Sequence, residues 1–175
     1  RVMLPDGRYV VTVTGELQPM TATGQHEVAQ AILEMANSTP QLLVLAGLAS
    51  EVEEKAIHVI CADAKVRSNL QANDIEVSKS QPEAGMIGVA GLLVSLSSIH
   101  KVPAVALVAD TVGASADVIA ADRLARWIED ALGLPLGIDL DTTEETARKL
   151  LASIEVSGSI EDHLGMPAEA DDFYV

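Results

Sequence analysis

The chain has 175 residues, 49% hydrophobic and 21% charged, which suits one domain with a sizeable core and excludes disorder as the default. With 26 Asp and Glu against 11 Lys and Arg, the formal charge is −15, so the average surface repels nucleic-acid phosphates and anionic membranes. Aromatic residues make up 2%, namely Tyr9, Trp127, Phe173 and Tyr174, and leave few platforms for stacking bases.

Arg8 to Thr14 is rich in β-branched residues and follows Pro5-Asp6-Gly7, which predicts an Asp-Gly turn feeding a strand, with Arg1 to Leu4 as its hairpin partner. The pattern starts at once and not with Met, so the natural N-terminus is expected to lie upstream. From His26 to Asn37, Val28, Ile32, Leu33, Met35 and Ala36 recur at helical spacing, with Thr23 or Gly24 to begin the helix and Pro40 beyond it. Leu42–Leu45, ending at Gly47, and Ile57–Cys61, ending at Asp63, are short apolar runs of the kind buried on both faces of a parallel sheet. Ala64–Ala72 reads as helix and Ile75–Val77 as a short strand.

Gly85–His100 is a glycine-rich entry into an apolar helix, and Pro103–Val108 is the strand after it. Ser115 or Asp117 caps the next helix, whose apolar face carries Ala121, Leu124, Ile128 and Ala131, and Gly133 followed by Pro135 ends it. Asp141–Ser157 has acids early and bases late, as a helix dipole favours, with Ala147, Leu150, Leu151 and Ile154 on one face. Strands alternating with helices predict an α/β fold, a three-layer α/β/α sandwich with a mostly parallel sheet. Residues 1–158 form that single domain. Residues 159–175, with Glu161, Asp162, Glu169, Asp171 and Asp172, form an acidic flexible tail that at about 3.3 Å per residue reaches on the order of 50 Å.

The lone Cys61 makes no internal disulfide, and no basic-apolar-small leader pattern is present, so a reducing cytoplasm is the expected location. The longest apolar run, Gly85–Leu96, is shorter than the roughly 18 residues a bilayer span needs. His26, His58, His100 and His163 are scattered, without CxxC or HExxH spacing, and no metal or other cofactor is expected. His58, inside an apolar strand, reads as a hydrogen-bonded core histidine. The segment ADTVGASAD lacks the second glycine of a nucleophile elbow, and Ser115 reads as a helix cap. Gly85, Gly88 and Gly91 recur every third residue, where backbone amides can hold an anion, although close helix packing uses the same glycines. Asp110 follows the strand Pro103–Val108, where open α/β sheets place their sites, and Asp117, Asp139 and Asp141 are candidates to lie near it in the fold. In so acidic a chain that clustering assigns no catalytic role.

GQHEVAQAILEMA, LLVLAGLAS with EVEEKAIHVICADAK, GMIGVAGLLVSLSSIHKVPAVALVADTVG and ALGLPLGIDL, in that order from Val10 to Ser157, closely resemble the archaeal branch of the proteasome assembly chaperone family. Two features depart from it. Family members carry a glycine-rich strand and helix before the segment matching Arg8, which has no equivalent here. They also show GYxxD after the strand, where this chain has Val112 to Asp117 and no tyrosine. The ending Phe173, Tyr174, Val175 is similar to the hydrophobic-tyrosine-any (HbYX) signature with which such proteins dock on the proteasome core particle.

The resemblance implies an ATP-independent, non-enzymatic chaperone or activator that binds proteasome α subunits or the core particle and forms a homo-oligomer, with no nucleic acid or membrane partner. An aromatic anchor beside a free carboxylate is a recognised peptide-binding mode, and several tails on one oligomer would compensate for the weakness of each. The alternative is a small-molecule enzyme of nucleoside phosphorylase-like or hydrolase-like fold, which rests on fold analogy.

Overall fold

A computed structural model describes residues 1–15, 17–51, 55–78, 88–113, 117–138 and 145. The expected helix Asp141–Ser157, apart from Glu145, and the tail with Phe173, Tyr174 and Val175 lie outside the described residues, as do Gly85 and Ser115.

The predicted hairpin forms, but its strands are short. β1 (Val2–Met3) pairs antiparallel with β2 (Tyr9–Val10), with Val2 opposite Val10 and Met3 opposite Tyr9. The Leu4 amide donates to the Arg8 carbonyl at 2.8 Å across the Pro5-Asp6-Gly7 turn. Pairing stops at Val10, so Val11 to Thr14 is not strand.

α1 (Ala22–Met35) begins earlier than the periodicity predicts, because Thr21 is the N-cap and its Oγ1 accepts from the Gly24 amide at 3.1 Å. Its buried side is Ala29 and Leu33, continued by Ala36. Val28 and Met35, expected on that face, are exposed. α2 (Ala64–Ala72) has its predicted bounds, set by Asp63, whose carboxylate accepts from the Lys65 and Val66 amides. α3 spans Gly88–Ser97 and α4 spans Val118–Leu132. α4 is capped by Asp117, one of its two cap candidates, and stopped by Gly133 in the left-handed conformation that favours glycine.

Three strands form the second sheet, in the order β3 (Leu42–Ala49), β5 (Ala104–Thr111), β4 (Ile57–Ile60). β3 runs parallel to β5 from Leu42 opposite Ala104 to Ala49 opposite Thr111. β4 runs antiparallel, from Ile57 opposite Ala109 to Ile60 opposite Ala106. The described sheet is therefore mixed, which corrects the expectation of a mostly parallel one. The cause is the link between β3 and β4, residues 50–56, shorter than the dozen or so residues a parallel crossover requires.

Burial separates the strands further. β5 is buried at every position from Ala104 to Asp110. Its neighbour β3 is not buried on both faces as predicted. Leu45 is 55% exposed, and β3 is an edge strand among the described residues. Gly47 does not end it. Ile75–Val77 is not a strand either; Ile75 and Val77 are buried, and the Ser78 amide donates to the Val59 carbonyl at 2.8 Å, but no ladder forms among the described residues.

Alternate residues of the sheet join two cores, as strand geometry requires. Val44, Ile60, Ala106 and Val108 cluster with Ala29 and Leu33 of α1 and with Leu93 and Val94 of α3. Val59, Val105 and Leu107 cluster with Val66 and Leu70 of α2 and Ile128 of α4. Burying a leucine side chain contributes about 1.5–3 kcal/mol, so the side chains of β5 join the two cores through one strand. Among the described residues, no helix is long and apolar enough to cross a membrane.

Leu107 is fully buried whereas Leu45 is more than half exposed. In urea unfolding, Leu107→Ala is expected to cost about 2–5 kcal/mol and Leu45→Ala less than about 0.5 kcal/mol. Equal costs would show that β3, and not β5 alone, is covered on both faces.

Candidate functional site

The polar groups that the fold brings together inside the apolar core meet at the end of β5. Asp110 is 5% exposed, so its carboxylate needs partners. One oxygen accepts from the Ala56 amide at 3.0 Å and the other lies 3.1 Å from His58 Nε2. The Asp110 amide donates to the Ala56 carbonyl at 3.0 Å.

An ordinary antiparallel pair here would return a bond from the Ala56 amide to the Asp110 carbonyl. That carbonyl instead accepts from the Arg123 guanidinium of α4. The Asp110 side chain takes over the ladder bond that its own main chain gives up. A single residue thereby ties β4, β5 and α4. Lys55, just before β4, adds a further tie, with Nζ donating to the Ser50 carbonyl and lying 3.5 Å from the Thr111 carbonyl. Arg123 Nε is buried and has no partner among the described residues.

Burial works to raise the Asp110 pKa, but the Ala56 amide, the His58 hydrogen bond and the charges of His58 and Lys55 outweigh it and hold the carboxyl below its ordinary value. Asp117 behaves alike. Burial opposes ionisation, whereas the Ala120 and Val112 amides and the Arg123 charge lower the pKa. Asp117 thus caps α4 through Ala120 at 2.9 Å and holds the turn after β5 through Val112 at 3.0 Å.

His58 and Asp110, singled out separately in the sequence, are partners, but His58 is 32% exposed and so is not a core histidine. Asp110 and Asp117 are both used by main-chain amides; Asp139 and Asp141 lie outside the described residues. Arg123 and Lys55 were missed. The available signal was an aspartate ending an otherwise apolar strand, which demands cationic or amide partners from elsewhere in the fold.

At the glycine-rich start of α3, for which the sequence left both anion binding and close packing open, the Val89 amide donates to Gln18 Oε1 at 3.1 Å. Gly88 adopts a positive φ of 70°, and a Cβ there would collide with the same Gln18 oxygen. Gly91 is buried in α3, which packs against α1. Gly88 thus leaves room for a side-chain cap by Gln18. No group of three metal-ligating side chains is found among the described residues. Burial pushes the Cys61 thiol up, away from the reactive thiolate.

The sheet and its two cores define an α/β scaffold whose buried charges brace strand ends. The chain belongs to the PAC2 family, whose model matches residues 2–156. No curated protein matches it. Among solved structures it is similar to Pyrococcus furiosus PbaA, described as an archaeal homolog of proteasome-assembly chaperone, with a TM-score of 0.64 and 17% identity over 78% of this chain and 62% of that one. It is similar also to P. furiosus PbaB, described as an archaeal proteasome activator, with a TM-score of 0.62 and 20% identity over 82% and 62% of the two chains. A PAC2 family protein from Streptomyces avermitilis gives a TM-score of 0.60 and 20% identity over 83% and 61%. At such identities the likeness establishes the fold, and the chain spans about three fifths of the length of these proteins.

Asp110→Ala leaves a buried amide and an imidazole without their acceptor and is expected to cost about 1–3 kcal/mol. Asp110→Asn, which keeps one acceptor and gains a donor for His58, is expected to cost less. Because the folded-state pKa is lowered, the charged form of Asp110 stabilises the fold above the ordinary aspartate value of about 3.9. That contribution disappears as pH falls through the folded value. Unfolding midpoints of the parent and Asp110→Asn should therefore converge below about pH 4, and parallel curves would remove Asp110 from the acid limb.

Proposed function

We propose that this protein is a non-enzymatic, ATP-independent proteasome assembly chaperone or activator that engages proteasome α subunits or the α ring of the core particle. Its ending Phe173, Tyr174, Val175 docks in a pocket between adjacent subunits, with the aromatic ring and phenol as anchors and the terminal carboxylate as the charged contact. The domain is a three-layer sandwich that self-associates, so that several tails reach one ring and the binding of each raises the local concentration of the next.

One conjunction carries this reading: a PAC2 family match over residues 2–156 is followed in the same chain by a Phe-Tyr-Val ending. The fold likeness to PbaA and PbaB, each described in relation to the proteasome, adds support. The carboxylates of the buried Asp110 and the half-buried Asp117 are engaged by main-chain amides, and this favours a bracing role over an acid-base one. The small-molecule enzyme reading has no observation of its own.

Mixing the protein with an archaeal core particle should yield a complex detectable by size-exclusion chromatography, and deletion of residues 173–175 should abolish it. Undiminished binding by the shortened chain would remove the tail from the mechanism. Measuring peptide hydrolysis in the same mixture separates activation, which raises turnover, from assembly, which needs free α subunits.

A further inference from the structure

Trp127 is the chain's sole tryptophan, and it lines a groove of about 390 Å³ that the cluster at Asp110 does not use. The groove lies where the beginning of β4 meets the residues after α2 and the second half of α4. Its floor includes Val59 and Ile75, both buried, and its wall is the half-buried Trp127. Asp74, Glu76 and Asp130, all exposed, supply its rim. Among the described residues the lining holds no Lys or Arg, and the three carboxylates have no hydrogen bond or ion pair there.

We propose that this groove receives an arginine side chain presented by a partner polypeptide. An apolar floor under an anionic rim matches a side chain that is apolar along its stem and cationic at its tip. The planar guanidinium stacks on an indole and donates in a fork to carboxylates, which a lysine ammonium does less well. The volume falls within the ~300–1,000 Å³ of ordinary binding recesses.

Charge selects the occupant. The chain's own residues 159–175 hold five acids, Glu161, Asp162, Glu169, Asp171 and Asp172, and no Lys or Arg, so they are repelled from the rim. A second copy carries a formal charge of −15, so its average surface does not supply the cation this groove takes, whatever other face the copies associate through. A basic segment of a different protein is attracted. The groove does not involve Phe173, Tyr174 or Val175, so it stands or falls separately from tail docking.

The sole tryptophan makes its emission a local reporter in the intact chain. Titration with the blocked tripeptide acetyl-Gly-Arg-Gly-amide at low ionic strength is expected to shift Trp127 emission saturably, with a Kd on the order of 1 mM. The glutamine analogue acetyl-Gly-Gln-Gly-amide is expected to leave it unchanged. The triple variant Asp74→Asn, Glu76→Gln, Asp130→Asn should weaken binding by about tenfold, and Asp130→Asn alone by a smaller factor, with circular dichroism matching the parent. An unsaturable signal, an equal response to the glutamine peptide, or unchanged affinity in the variants would overturn the proposal. So would an emission shift on removing residues 159–175, which assigns the groove to the chain's own tail. A shift on concentrating the protein alone assigns it to a second copy and overturns the proposal too.

Discussion

Much of the described structure depends on how a carboxylate is kept ionised at the end of a buried strand. Asp110 sits where β5 emerges from between its neighbours, and it is nearly inaccessible to water. An unpaired charge there would be costly. The fold meets that cost by turning the Ala56 amide and His58 toward the carboxylate and by drawing Arg123 to the adjacent carbonyl. A polar side chain thus substitutes for a main-chain acceptor, and the position of α4 becomes coupled to the register of β4 on β5. The turn after β5 is fastened by Asp117 in the same way, since its carboxylate serves the helix cap and the Val112 amide together.

The remaining structure is arranged around β5. Because successive residues of a strand point to opposite faces, Ala106 and Val108 join one core while Val105 and Leu107 join the other. A strand whose two faces join two cores has no solvent-facing side, which accounts for its unbroken run of apolar residues up to Asp110. The edge strand β3 shares the apolar composition but not the environment. Its Leu45 faces outward, and several other large apolar side chains are exposed in the first 20 residues, among them Val2, Met3, Val11, Val13, Leu17 and Met20.

A scaffold whose buried charges are satisfied by main-chain groups is suited to presenting surfaces and segments. The chain belongs to the PAC2 family and shares its fold with PbaA and PbaB; the proposed function places recognition in the terminal three residues, and the Trp127 groove is proposed separately from it. Both proposed contacts would address basic groups, the tail through an aromatic anchor and an anionic terminus and the groove through its carboxylates. A strongly acidic chain can use both if its partners present basic residues.

Local chemistry was legible in the sequence. Asp117 as one of two cap candidates for α4, Gly133 as its stop, the bounds of α2 and the apolar body of α3 follow from groups within a few residues of one another, and so do the hairpin at Asp6-Gly7 and the family blocks. Strand order and direction were not legible, because they depend on contacts between segments far apart in the chain. Identical apolar runs can lie at a centre or an edge, and only pairing decides that β5 is buried on both faces while β3 is exposed on one. The helix faces misassigned at Val28 and Met35 have the same origin, since periodicity defines a stripe but not which part of it a neighbour covers. The convergence of His58, Asp110, Lys55 and Arg123 belongs to tertiary structure: an aspartate ending an apolar strand signals a demand for donors, but only the fold decides that residues 55–58 and Arg123 of α4 meet it.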